Sequence, residues 1–336
     1  MGSDIAKMIL LVRKRISVWA LAMAAIIAGS ASPAAAQGAE LTLDPQSGYI
    51  LPVAVNGQML RLKVDLGAPS NIMLNKSKAE ALGLSGPEGP VMTVGPVRLT
   101  ARSRVTTVTI ANRPLRLRVM WFNDDLVEGA DGAINPAQLP YDAVVFQLRP
   151  ASGGEVPIRF RALFDRERGL HHQFSFAGEL LLTRFTLFDR LSTVTAAAGS
   201  LIARHRGGAW AGGAFIHKVR YNITRPARTM VLAQPFRVHG LAMNRLTVRI
   251  RDDGGNYQLP TAERVEHAAQ GDTDLLVVGQ RGLRLPAPAH FWLMVGTGDL
   301  EHCSSVRYDR RPHRITLMCR PHGAAPAPAA APSRPA

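Results

Sequence analysis

Residues 63–74 read KVDLGAPSNIML, and the fold turns on how this stretch is interpreted. Lys63 and Val64 close an alternating, strand-like approach. Asp65 follows, then Gly67 and Ala68 in a tight turn with Pro69 and Ser70, then the apolar run Ile72, Met73 and Leu74. A strand that delivers an acidic residue onto a small-residue turn, and resumes as a strand, presents that residue to something across the turn.

Upstream, YILPVAVNGQMLRLKVDLG alternates apolar and polar residues on either side of Asn56-Gly57, a two-residue hairpin signal. Downstream, VRLTARSRVTTVTIANRPLRLRVMWF continues the period-two pattern, with a turn expected at Asn112-Arg113. Helical signal is confined to two places. LNKSKAEALGL has Asn75 as N-cap and Gly83 near its end, and STVTAAAGSLIARHRGG opens at Ser192 or Thr193 and stops at Gly207-Gly208.

The two short helices expose an internal repeat. In the first half, a hairpin with Gly57 leads through LRLKV to Asp65, small residues and a helix. In the second, FSFAGELLLTRFTLF carries Gly178 in a similar hairpin and leads to Asp189, again followed by a helix. Each half ends on an apolar strand with a glycine, DGAI from Asp131 and LMVG up to Gly296.

Composition bounds the rest. Residues 1–36 have the form of a secretory signal: basic Arg13-Lys14-Arg15, a short apolar core, then Ala34-Ala35-Ala36. Export to a bacterial periplasm is therefore expected, and no later segment has about 18 uninterrupted apolar residues. The chain of 336 residues carries a formal charge of +15, with its arginines scattered through strand-like segments. That pattern gives no nucleic-acid motif. Cys303 and Cys319 flank a turn in YDRRPHR, and an exported chain permits oxidation. A disulfide is expected, worth about 3 kcal/mol in the loop-entropy model. EHCSSV has no partner spacing for a metal, and no cofactor is expected. From about Gly323 the tail is rich in Ala and Pro.

Two aspartates on facing turns have a recognisable use. Carboxylates within about 3 Å cannot both ionise, so they share one proton, and the pair activates water against a peptide carbonyl. The chain resembles the aspartic protease superfamily, in its retropepsin-like and pepsin-like groups. VDLGAPSNIML resembles the signature turn at Asp65, Gly67, Ala68, Ser70 and Ile72, EGADGAINPAQLPYD the second element at Asp131 and Gly132, and LMVGTGDLEHCSSVRYDRRPHRITLMC the last strands of a C-terminal lobe. The resemblance implies a mainly β, bilobal pepsin-like fold, with an N-terminal lobe over 37–160, a C-terminal lobe over 161–322 and a catalytic dyad of Asp65 and Asp189. It also implies a peptide or protein substrate and a monomer.

The sequence departs from the family at four positions. Leu66 stands in place of a Thr or Ser, Asn135 in place of a glycine, and Arg190 and Leu191 in place of Thr/Ser and Gly after Asp189. Two functions stay open at this point: an exported aspartic peptidase, and an inactive relative that binds peptides or proteins without cleaving them. Asp65 could alternatively cap its own turn, and Asp189 could pair with Arg190 or another arginine. There is no GxSxG elbow, and GTGDLE lacks the third glycine of a phosphate loop. His171 and His172 are adjacent, so on a strand they face opposite ways.

Overall fold

The computed structural model describes residues 39–94, 97–165, 168–250 and 291–321. The leader, the stretch TDLLVVGQRGLRLP and the Ala/Pro tail lie outside the described residues.

The repeat takes physical form as two sheets with the same strand order. In the first lobe, strands β2 (Ile50–Val55), β3 (Gln58–Val64), β8 (Gly132–Ile134), β4 (Ile72–Leu74), β7 (Arg113–Trp121), β6 (Val97–Ile110) and β5 (Glu88–Val94) are neighbours in that order. An added β2–β6 pairing, Ala54 with Thr109 and Val55 with Val108, closes the first six of them into a barrel. In the second lobe the order is β12 (Gly169–Phe176), β13 (Glu179–Phe185), β18 (Trp292–Val295), β14 (Thr193–Val194), β17 (Leu241–Arg249), β16 (Ile223–Val238) and β15 (Gly208–Arg220). The short β11 (Leu163–Asp165) adds to its edge. Strand for strand, the second sheet repeats the first. This is the mainly β, pseudo-symmetric bilobal arrangement expected from the sequence.

A third sheet belongs to neither lobe alone. Its order is β1 (Glu40–Leu43), β9 (Ala143–Gln147), β19 (Cys303–Asp309), β20 (Arg314–Cys319) and β10 (Val156–Arg161). It draws strands from before, between and after the two lobes. Its β19–β20 hairpin is joined by the Cys303–Cys319 disulfide, as expected.

Local choices mostly follow the sequence signals. Asn56-Gly57 makes the two-residue turn of the β2–β3 hairpin, with both residues at positive φ, and Ala177-Gly178 does the same for β12–β13. The β6–β7 turn is Ala111-Asn112, one residue earlier than expected, because Arg113 already pairs with Ile110. Helix α1 (Lys76–Ala81) begins after Asn75, but the Asn75 side chain does not cap it. That amide instead accepts from Leu126 N and Val127 N and donates to Val127 O and Ala130 O, tying down the loop before β8. Helix α2 (Ala196–Arg206) starts two to three residues later than expected. Its cap is Thr195, whose hydroxyl accepts from Ala198 N, and it stops at Gly207 in the left-handed region.

The main core fills both lobes with side chains such as Leu62, Ile72, Leu74, Ile134, Val194, Met230 and Leu293. A second, smaller cluster lies on the other face of β4, β7 and β8, where Met73, Met120 and Ala133 point away from the barrel interior. No described helix is long and apolar enough to cross a membrane.

Candidate functional site

Asp65 sits where the sequence places it, immediately after β3. Its backbone N–H donates to Ile134 O at 3.1 Å, because β3 runs parallel to β8 with Val64 opposite Ile134. The second lobe reproduces this contact. There β13 runs parallel to β18 with Phe185 opposite Val295, and the N–H that donates to Val295 O, at 3.0 Å, is that of Thr186. Asn75 and Thr195, each the residue immediately before a helix, occupy matching places at the far end of each turn. The counterpart of Asp65 is therefore Thr186, three residues before Asp189.

The two turns meet through these residues. Asp65 is 5 % exposed, and groups of the second lobe bind both its carboxylate oxygens. The Thr186 hydroxyl donates to Oδ2 at 3.3 Å, and Leu187 N–H donates to Oδ1 at 3.1 Å. Thr186 Oγ1 in turn accepts from Phe188 N–H at 3.2 Å. A short chain of hydrogen bonds thus runs from the second turn into the first and ends on the carboxylate.

Gly67 makes the approach possible. A Cβ there would stand 3.0 Å from Asp65 Oδ2 and 3.1 Å from Phe185 O, so any side chain would push the turns apart. Leu66, at 1 % exposure, turns into the main core and offers no hydroxyl across the interface. Asn135 supplies a brace of another kind. Fully buried, it donates from Nδ2 to Leu66 O at 3.1 Å and Ala68 O at 2.8 Å, while its oxygen accepts from Ala137 N. The residue that replaces a glycine therefore ties the Asp65 turn to β8.

Asp189 is placed differently from the expected dyad partner. It closes its own turn, accepting from Leu191 N–H at 3.0 Å, and its other oxygen lies 3.6 Å from His217 Nε2. Its backbone carbonyl accepts from Thr297 N–H. Arg190 does not pair with it: the guanidinium reaches Glu301 at 2.6 Å, on the surface. Burial holds the His217 imidazole below its usual pKa, partly opposed by Asp189. Thr186 and Leu187 of the second lobe thus bind the Asp65 carboxylate, while the Asp189 carboxylate meets Leu191 and His217.

A signal for Thr186 was present in the sequence. Asp65 lies eight positions after the hairpin glycine Gly57, and the same step from Gly178 reaches Thr186 (65 − 57 and 186 − 178). A search for a second aspartate passes over it.

For metals, the described residues bring together one group of three donor side chains, His302, Cys303 and Cys319, and its two sulfurs are committed to the disulfide. The three tryptophans among the described residues, Trp121, Trp210 and Trp292, are used in packing. Trp121 is core, Trp210 lies against the Arg228 guanidinium and Trp292 against Arg184.

Fold and turn together define the class: a bilobal acid-protease fold with the Asp65 carboxylate at the junction of its lobes. A family model described as aspartyl protease matches residues 51–134, which span the first barrel and its Asp65 turn. Over those residues the first lobe is similar to the aspartyl protease family. Among solved structures it is similar to a retropepsin-like aspartic protease from Rickettsia conorii, at 19 % identity and a TM-score of 0.23, over 26 % of this chain and 65 % of that one. It is also similar to EIAV protease complexed with the inhibitor HBY-793, at 18 % identity and a TM-score of 0.20, over 26 % of this chain and 79 % of that one. No curated protein matches the sequence significantly.

Proposed function

We propose that the protein is an exported, non-hydrolysing member of the acid-protease fold that binds peptides or protein segments. The observation that carries the reading is the Thr186 hydroxyl on Asp65. Shared-proton chemistry needs two carboxyls at this distance, one ionised as base and one protonated to polarise the carbonyl. A threonine hydroxyl cannot hold the negative charge that the second role exchanges with the first. Asp65, bound by Leu187 N–H and Thr186, acts instead as an interlobe brace.

Export is supported by the leader-like residues 1–36 and by the disulfide. A peptide ligand is supported by the family relationship of the first lobe. The rival, a peptidase using Asp65 with Asp189, requires the Asp189 carboxylate to leave Leu191 and His217 and reach Asp65.

The test is incubation of the protein lacking residues 1–36 with a peptide library between acid and neutral pH, beside Asp65→Asn and Asp189→Asn. Binding without cleavage by the unmodified protein is expected. Cleavage abolished by either substitution overturns the proposal.

A further inference from the structure

Two histidines of the second lobe meet through their ring nitrogens. His172 lies on β12 and is buried, while His239 opens the turn between β16 and β17 and is exposed. Their Nε2 atoms are 2.6 Å apart. His171, the sequence neighbour, faces the other side of β12 and binds Gly169 O, so the partner of His172 comes from 67 positions further on. The tautomer of His172 is fixed by its surroundings. Its Nδ1 lies 2.7 Å from Arg161 O, and a carbonyl oxygen only accepts, so Nδ1 carries the proton and Nε2 of the neutral ring presents a lone pair. A backbone carbonyl on the far ring nitrogen is the outer-shell contact that orients metal-bound histidines and raises their basicity. Phe160 of β10 and Phe174 wall the ring, with centroids 5.2 Å and 6.3 Å away.

The turn delivers the second nitrogen from a position that rarely holds a histidine. Val238 pairs with Leu241, so His239 and Gly240 make the whole turn, with positive φ values of 50° and 102°. That geometry favours Asn, Asp or Gly at its first position. His239 nevertheless stands there, its ring stacked on Phe160 with centroids 5.8 Å apart and its Nε2 on that of His172. Gly240 runs over β10, where a Cβ would lie 3.8 Å from Ile158 Cδ1. Because His172 Nε2 is the acceptor, His239 Nε2 carries the proton between them. Moving that proton to its own Nδ1 gives His239 a matching lone pair on Nε2, with neither ring ionised.

We propose that His172 and His239 form a transition-metal site, matched best to Cu(II). Two neutral imidazoles are a donor set for copper, nickel or zinc, and the stability order for nitrogen sites puts Cu(II) first. Geometry points the same way. Two nitrogens at about 2.0 Å from one ion are about 2.8 Å apart at the right angle of a tetragonal ion and about 3.3 Å apart at the tetrahedral angle. From 2.6 Å the pair opens by about 0.2 Å for the first and about 0.7 Å for the second. The exposed ring of His239 supplies that movement, since His172 is held by Arg161 O and the two phenylalanines. Both ligands belong to the second lobe, so the ion pins the β16–β17 turn to β12. The site stands whether or not the protein binds peptides.

The experiment titrates Cu(II) alone into the untagged protein lacking residues 1–36 at neutral pH, beside His239→Asn. His205→Asn, at an exposed histidine of helix α2, is the control for adventitious surface binding. Asparagine suits the turn that His239 occupies, so a cooperative thermal transition should survive the substitution. One equivalent of Cu(II) should bind the parent, and its pulsed electron paramagnetic resonance spectrum should show two coordinated imidazoles. His239→Asn should bind at least about tenfold more weakly and lose one imidazole, whereas His205→Asn should match the parent. Equal affinity and an unchanged spectrum in a folded His239→Asn overturn the site. A parent spectrum with fewer than two imidazoles overturns it as well, and that reading needs no variant.

Discussion

Thr186→Asp places a second carboxylate where the structure has a hydroxyl. Thr186 Oγ1 lies 3.3 Å from Asp65 Oδ2, inside a contact where Asp65 is 5 % exposed. At that range, and an effective dielectric of about 20, two full negative charges repel by about 5 kcal/mol. That is about 3 to 4 pKa units if one of the pair bears it all. The sign follows from linkage. The pair's second proton is held more tightly in the folded protein than in the unfolded chain, where an aspartate titrates near about 3.9. The variant should match the parent closely below about pH 4 and lose stability as pH rises through the raised folded value. It should then level off about 3–5 kcal/mol below the parent once both groups ionise. Urea unfolding of the parent, Thr186→Asp and Thr186→Asn at pH 4, 6 and 8 measures this. The asparagine variant should show a difference from the parent that is flat in pH. A flat difference for the aspartate variant as well would refute the facing of residues 65 and 186, and with it the alignment of the two lobes.

Three further expectations follow from the same contacts. Asp65→Ala leaves the Leu187 N–H and the Thr186 hydroxyl without their acceptor, so it should cost about 2–3 kcal/mol in chemical denaturation. Asp189→Ala, at a half-exposed turn, should cost less than about 1 kcal/mol. Gly67→Ala forces atoms against Asp65 Oδ2 and Phe185 O and should lower stability by about 1–3 kcal/mol in the same assay, although the alanine needs no unusual backbone.

A separate expectation concerns the histidines of β12. His172 donates from Nδ1 to Arg161 O at 2.7 Å, so its Nε2 accepts from His239 Nε2 at 2.6 Å, in a wall that includes Phe160 and Phe174. Burial, with His239 and His171 adding to it, holds its pKa below the usual value. The unfolded chain therefore takes a proton near pH 6.5 that the folded protein refuses, and this contribution to stability is complete above that pH and lost as pH falls. His172→Phe should flatten the fall in stability between pH 7 and 5, by at most about 1.4 kcal/mol per pH unit. A slope unchanged by the substitution assigns the effect to the other buried histidines.

Much of the architecture could be read from local pattern. Asn56-Gly57, the Asp65 turn and the two helix positions are specified by neighbouring residues, and so is the apolar ending of each lobe. The second turn was not legible in the same way. Its register is set by Phe185 pairing with Val295 across a long stretch of chain, and composition favoured the nearest aspartate, Asp189. Asn135 looked like a defect, yet its amide brace depends on two carbonyls, of Leu66 and Ala68, that only the folded turn brings together. The seat of Tyr221 was hidden for a related reason: nothing local to it reveals that Phe122 lies against it.

The central claim is that, among the described residues, the Asp65 carboxylate meets the Thr186 hydroxyl where a peptidase needs a second carboxylate. Its most direct measurement is mass-spectrometric scoring of a peptide library incubated with the protein lacking residues 1–36, between pH 3 and pH 7. The account predicts retained peptides and no new termini, from the parent and from Asp189→Asn alike. New termini from the parent that vanish in both Asp65→Asn and Asp189→Asn would contradict it.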